Sequence, residues 1–132
     1  MKPTLTLAAI ATALTLATPA LAEFRFSFDW AGLKSCTSGN PNTVHNPLFK
    51  VSGVPQGTTV IRFQLKDLDV PGYNHGGGYV TIAKDGTVPA KSFKYKSPCP
   101  PSGKHTYEWT ATAMTRKNGK ALAKAAARAS YP

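Results

Sequence analysis

The chain has 132 residues, 42% of them hydrophobic, and carries 16 Lys and Arg against 6 Asp and Glu, for a net charge of +10. That length suits one domain rather than several. Its two cysteines have no partners at zinc-finger spacing, which argues against a thiolate metal centre, while the basic excess favours anionic partners through long-range attraction.

The chain begins like an export signal. Lys2 supplies a short positive start, Leu5 to Leu16 is an apolar stretch of Ala, Leu and Thr, and Pro19-Ala20-Leu21-Ala22 offers small residues for a signal peptidase. The apolar run falls short of the ~20 residues a membrane span requires. Residues 1–22 are therefore expected to be a signal peptide cleaved after Ala22. Residues 23–132 form the mature domain, periplasmic or secreted and without a transmembrane segment.

Strand signals follow. Phe24, Phe26, Phe28 and Trp30 alternate with Arg25, Ser27 and Asp29, the period of two expected of a half-buried strand. Ile61, Phe63 and Leu65 alternate with Arg62, Gln64 and Lys66 inside Thr59 to Asp69. Tyr79 to Ala83 is a shorter strand, with Lys84-Asp85-Gly86-Thr87 after it as a hairpin turn. His105, Tyr107, Trp109, Ala111 and Ala113 share one phase of a further strand. Turn formers separate these runs, among them Ser38-Gly39-Asn40-Pro41, Gly53-Val54-Pro55-Gln56-Gly57 and the loop from Ser97 to Gly103. Only the C-terminus reads as helix: Leu122, Ala125, Ala126 and Ala129 make an apolar stripe over Lys120 to Ala129, and Asn118 stands where a cap belongs. The expected fold is mainly β, a β-sandwich with a short C-terminal helix. In an oxidising compartment Cys36 and Cys99 are expected to form one disulfide.

Strand phase also locates a candidate site. If Ile61, Phe63 and Leu65 face the core, Asp67 and Asp69 continue that phase at the strand end, and a carboxylate facing an apolar interior is costly unless paired. His105 and Tyr107 face inward with Trp109 by the same logic. His75 precedes Gly76-Gly77-Gly78, where backbone can approach a ligand closely. Imidazole, phenol and backbone N–H groups in a basic protein suit a small anion pocket. The alternative is that Asp67 and Asp69 cap a turn and that the histidines are satisfied locally.

At these residues the chain resembles a known family. The run Asn46-Pro47-Leu48-Phe49-Lys50-Val51-Ser52-Gly53-Val54-Pro55-Gln56-Gly57-Thr58, leading to Asp67-Leu68-Asp69-Val70-Pro71, is similar to a stretch of the phosphatidylethanolamine-binding proteins, the Raf-kinase-inhibitor-like family. Pro98-Cys99-Pro100-Pro101-Ser102-Gly103-Lys104-His105-Thr106-Tyr107 resembles that family's second motif, and the two occur in family order. Leu68 departs from the family's proline, and Lys50 from its tryptophan. The resemblance implies a β-sandwich whose small cavity holds phosphate-like or carboxylate anions, including phosphoethanolamine head groups. Asp67, Asp69, His75, His105 and Tyr107 would form its polar lining, with Pro100 and Pro101 as its wall.

The expected function is thus non-catalytic binding of a small anion or phospholipid head group, with no cofactor and no metal. Inhibition of an envelope enzyme through protein–protein contact is the alternative. Hydrolysis is disfavoured because no nucleophile-elbow or metal-ligand motif is present. Nucleic acid is not an expected partner, since the aromatics lie in the inward phase rather than on a stacking platform.

Overall fold

The computed structural model describes residues 1–4, 8–16 and 22–132. Residues 5–7 and 17–21 of the expected export signal, including the Pro19-Ala20-Leu21 part of its cleavage motif, lie outside the described residues. Among those described, no helix is long and apolar enough to cross a membrane.

Among the described residues nine strands follow one another: β1 (Arg25–Ser27), β2 (Thr43–His45), β3 (Phe49–Ser52), β4 (Val60–Asp67), β5 (Gly77–Thr81), β6 (Gly86–Val88), β7 (Lys94–Lys96), β8 (His105–Met114) and β9 (Ala121–Tyr131). They form a four-stranded sheet in the order β5-β4-β8-β9, a three-stranded sheet β1-β3-β6 and a pair β2-β7. Every pairing is antiparallel.

The alternating residues do what their spacing requires. Ile61, Phe63 and Leu65 of β4 and Tyr107, Trp109, Ala111 and Ala113 of β8 are buried, as are Phe26, Phe49 and Val51 from β1 and β3. Aromatic rings join the two larger sheets. Phe49 stacks on Phe63 with centroids 4.2 Å apart, Phe26 meets Phe63 edge-on at 5.7 Å, and Phe49 meets Trp109 edge-on at 5.2 Å. Such pairs add about 0.5–1.5 kcal/mol each beyond the area they bury. Gly78 is fitted to this layer, because a Cβ there would meet the Phe93 ring at 2.5 Å.

The expected C-terminal helix is not formed. Residues Ala121–Tyr131 are strand β9, paired along its length with β8 from His105↔Tyr131 to Met114↔Ala121. Alanine at every second position satisfies a period of two as well as a helical stripe, and Ala123, Ala125 and Ala127 pack against the core. The long polar-backbone edge of β8 needs a partner, and that ladder overrides alanine's helix preference. Asn118 caps no helix; it sits at φ 58° in the β8–β9 turn. Tyr131 anchors the strand end by accepting a 2.8 Å hydrogen bond from the Cys36 N–H on its hydroxyl. A second expectation also changes: Lys84-Asp85 does not close a hairpin, because β6 pairs with β3 and not with β5. Asp85 instead accepts a hydrogen bond from the Val54 N–H at 2.9 Å.

Cys36 and Cys99 form the expected disulfide across 63 positions. The bond ties the segment after β1 to the proline loop that leads into β8. A loop of that length contributes about 4 kcal/mol in the chain-entropy account. Replacing both cysteines by alanine should lower unfolding free energy by about that amount, as read by urea denaturation. A loss below ~1 kcal/mol would mean that packing alone holds the proline loop.

Candidate functional site

Asp67 ends β4 facing the interior and is only 4% exposed. Its register partner across the ladder is Tyr107. A buried carboxylate needs donors, and three converge on it. Oδ2 takes a 2.7 Å contact from His105 Nδ1, while Oδ1 accepts from the Asp69 N–H at 2.9 Å and the Val70 N–H at 3.2 Å. Burial alone would raise the Asp67 pKa, but these hydrogen bonds and the His105 charge outweigh it and hold the carboxyl below its ordinary 3.8. Both readings of the sequence thus apply: Asp67 caps a turn and pairs with an inward imidazole.

The turn changes the fate of Asp69. Its expected inward phase ends at Asp67, and Asp69 is exposed, its Oδ2 accepting from the Thr106 N–H at 2.8 Å. This contact clasps the end of β4 to the start of β8. Asp67, Asp69 and His105 bring potential ligand atoms within 4.8 Å of one another. The histidine nitrogen that meets a carboxylate, however, is the one bonded to Asp67. The arrangement positions an imidazole.

His105 is partly exposed, its side chain at 17%. With Nδ1 committed to Asp67, Nε2 is its remaining polar atom. Tyr107 is 1% exposed and lies 6.3 Å from His105 and 5.6 Å from His75, centroid to centroid. Burial, then the neighbouring Asp67 charge, pushes its phenol far above the ordinary range, so it stays a neutral hydroxyl.

His75 is 3% exposed and held twice by Lys96: its backbone C=O accepts from the Lys96 N–H at 2.8 Å, and its Nδ1 donates to the Lys96 C=O at 2.7 Å. The second bond fixes the neutral tautomer with Nε2 as an acceptor. Burial holds its pKa below the ordinary 6.5 despite that bond. A neutral His75 therefore offers an acceptor at Nε2.

The seven expected residues are not all brought together. Asp67, His75, His105 and Tyr107 cluster, with Asp69 at the rim. Pro100 is fully buried. Pro101 is exposed and turned toward Gly39, whose Cβ position lies 3.2 Å from the proline's own. A groove of about 240 Å³ opens on the other side of His75, between Asn74–Gly77 and Lys94 and Lys96 of β7; Asp67, His105 and Tyr107 do not line it. Tyr73, which sequence reasoning passed over, meets His75 edge-on at 4.6 Å and is 40% exposed. Its only signal was an aromatic two positions before a candidate histidine.

His75 makes stability depend on pH. The unfolded chain takes up a proton that the folded chain resists, so the stabilisation is complete above pH 6.5 and is lost as pH falls through the lower folded value. His75→Asn keeps an N–H for the Lys96 carbonyl and removes the titration. The thermal midpoint of the wild type should decline just below pH 6.5, and the decline should vanish in this variant; an equal decline in both would place the acid sensitivity elsewhere. Asp67, whose pKa is lowered, acts only as pH drops below 3.8.

No protein-family model matches the chain, and no curated protein matches it. Solved structures do. The phosphatidylethanolamine-binding protein homologue CT736 of Chlamydia trachomatis aligns with a TM-score of 0.60 at 18% identity, covering 83% of this chain and 97% of that one. YbcL of Escherichia coli, described as a new member of the mammalian phosphatidylethanolamine-binding protein family, aligns with a TM-score of 0.60 at 19% identity, covering 83% and 98%. The chain has the fold of the phosphatidylethanolamine-binding proteins.

Proposed function

We propose that this chain is an exported, non-catalytic member of the phosphatidylethanolamine-binding protein family that binds a small anion, a phosphate or phospho-head group, at the mouth formed by His105. The observation that carries the reading is the 2.7 Å Asp67–His105 pair, in which a buried carboxylate aims a partly exposed imidazole. When protonated, that imidazole gives Nδ1–H to Asp67 and presents Nε2–H outward, a charge-assisted donor for an anion. The fold shared with CT736 and YbcL and the two ordered motifs support it, as does the meeting of two sheets across an aromatic layer, which is how a β-sandwich packs. The neutral Nε2 of His75 adds an acceptor, which suits a ligand that also carries a proton donor, such as the amine of phosphoethanolamine or the hydroxyl of a phosphate monoester.

Among the described residues, no serine, threonine or cysteine hydroxyl or thiol hydrogen-bonds to His105, and the binding reading rests on the oriented imidazole. The leader-like residues 1–22 and the disulfide together favour an extracytoplasmic site of action.

A thermal-shift titration with phosphate, phosphoethanolamine and acetate at fixed ionic strength tests the reading. Ligand at ~100 times its Kd adds about 2.7 kcal/mol, a rise in midpoint on the order of 10 °C. The rise should disappear in His105→Ala. A flat response across the panel, or a shift the variant retains, would remove His105 from the site.

A further inference from the structure

The four-stranded sheet is electrically lopsided from end to end. Asp67, Asp69, His105 and Glu108 lie toward the end where β8 begins. At the opposite end, roughly 30 Å away along the ten residues of β8, the turn between Met114 and Ala121 carries Arg116, Lys117 and Lys120 and no carboxylate. The sheet's outer face continues this patch. Arg62 and Lys124 flank Thr112 in register, Arg62↔Thr112↔Lys124, about two strand spacings or ~10 Å apart. Glu108 is the one carboxylate among the outward positions of the four strands, and it is already bonded to Arg128 at 2.7 Å.

The turn is built to hold its cations in place. The Tyr79 hydroxyl on β5 donates to Asn118 Oδ1 at 2.9 Å, which draws the tip across the sheet. Lys117 Nζ then lies 5.0 Å from the Tyr79 ring centroid, and Arg62 Cζ lies 5.6 Å from it. Two like charges share one ring, each attracted to it and each repelled by the other. A neighbouring anion would relieve that repulsion.

We propose that this basic tip docks on the surface of an anionic phospholipid bilayer. The patch holds five cations on a protruding turn and the adjoining sheet face, and their charge is complementary to a plane of phosphate head groups. It lacks the apolar centre that protein interfaces use for most of their binding energy. Its one aromatic ring, Tyr79, is already covered by cations and offers no platform for a nucleic-acid base. This site is separate from the one around His105, and neither depends on the other.

Cosedimentation of the full chain with vesicles of mixed phosphatidylglycerol and phosphatidylcholine tests the proposal. Phosphatidylcholine alone subtracts any contribution of the apolar N-terminal residues. Each basic residue near such a surface contributes on the order of a factor of 5, so Arg116→Gln/Lys117→Gln/Lys120→Gln should weaken phosphatidylglycerol-dependent binding roughly 100-fold. Lys34→Gln/Lys50→Gln/Lys104→Gln, which removes equal charge elsewhere, should weaken it far less. The six substituted cations are all exposed, and an unchanged thermal midpoint confirms folding of both variants. Absence of binding to the anionic vesicles, or equal loss in the two triple variants, would overturn the proposal. So would tip-dependent binding to polyglutamate that is tighter than to vesicles, which would point to an acidic protein instead.

Discussion

A carboxylate that enters an apolar interior has to be compensated, and the way Asp67 is compensated organises one end of this molecule. Its three donors come from the turn that follows it and from the first residue of β8. The turn can therefore form only where β8 is in register, and β8 can start only where Asp67 ends β4. Thr106, clasped by Asp69, completes the closure. Losing the carboxylate would leave a partly exposed imidazole and two backbone N–H groups without their acceptor at once, which is why this interaction outweighs any surface ion pair among the described residues.

The proline loop adds a second constraint from the other direction. Ser97 and Asn42 are stitched by two hydrogen bonds, and the disulfide sits two residues beyond Ser97. With Pro98 and Pro100 fully buried, the chain reaches His105 along a path with little freedom. The imidazole that the site presents is thus held by its Asp67 bond and by the backbone that delivers it. This economy of motion favours oriented recognition of a small group over accommodation of many.

Much of the fold was legible where one face is apolar and the other polar. The phase of β4 and β8 placed Asp67 and Tyr107 inside and correctly marked two strand ends as one locality. The phase failed one step later at Asp69, because a turn held by side-chain-to-backbone bonds ends the alternation without any change in composition. The short strands β2, β3, β6 and β7 were not read, since each lies in a stretch of three or four residues with no longer alternation around it. For β9 the sequence was ambiguous in a specific way: alanine is small enough to serve a helix stripe or a strand face, and only the presence of β8 beside it decides. The role of His75 depended on a carbonyl of Lys96, 21 positions away, which no local pattern reveals. Pro101 was expected at the wall of a pocket and faces Gly39 instead, a contact set by the disulfide-bound loop.

That same β9 has a further consequence, because it is an eleven-residue strand at the edge of its sheet. An alanine-rich edge of this length is an open template for another chain, the kind of surface from which self-association begins. The molecule defends it in two ways. Trp30 crosses to donate its indole N–H to the Ser130 carbonyl at 2.9 Å, closing one place on the free edge. Lys124 and Arg128 project from the same strand, so a second copy laid alongside would have to bring cations together. The positive charge that reads at first as a lure for anions also acts as a gatekeeper, keeping a nearly featureless alanine ribbon from propagating.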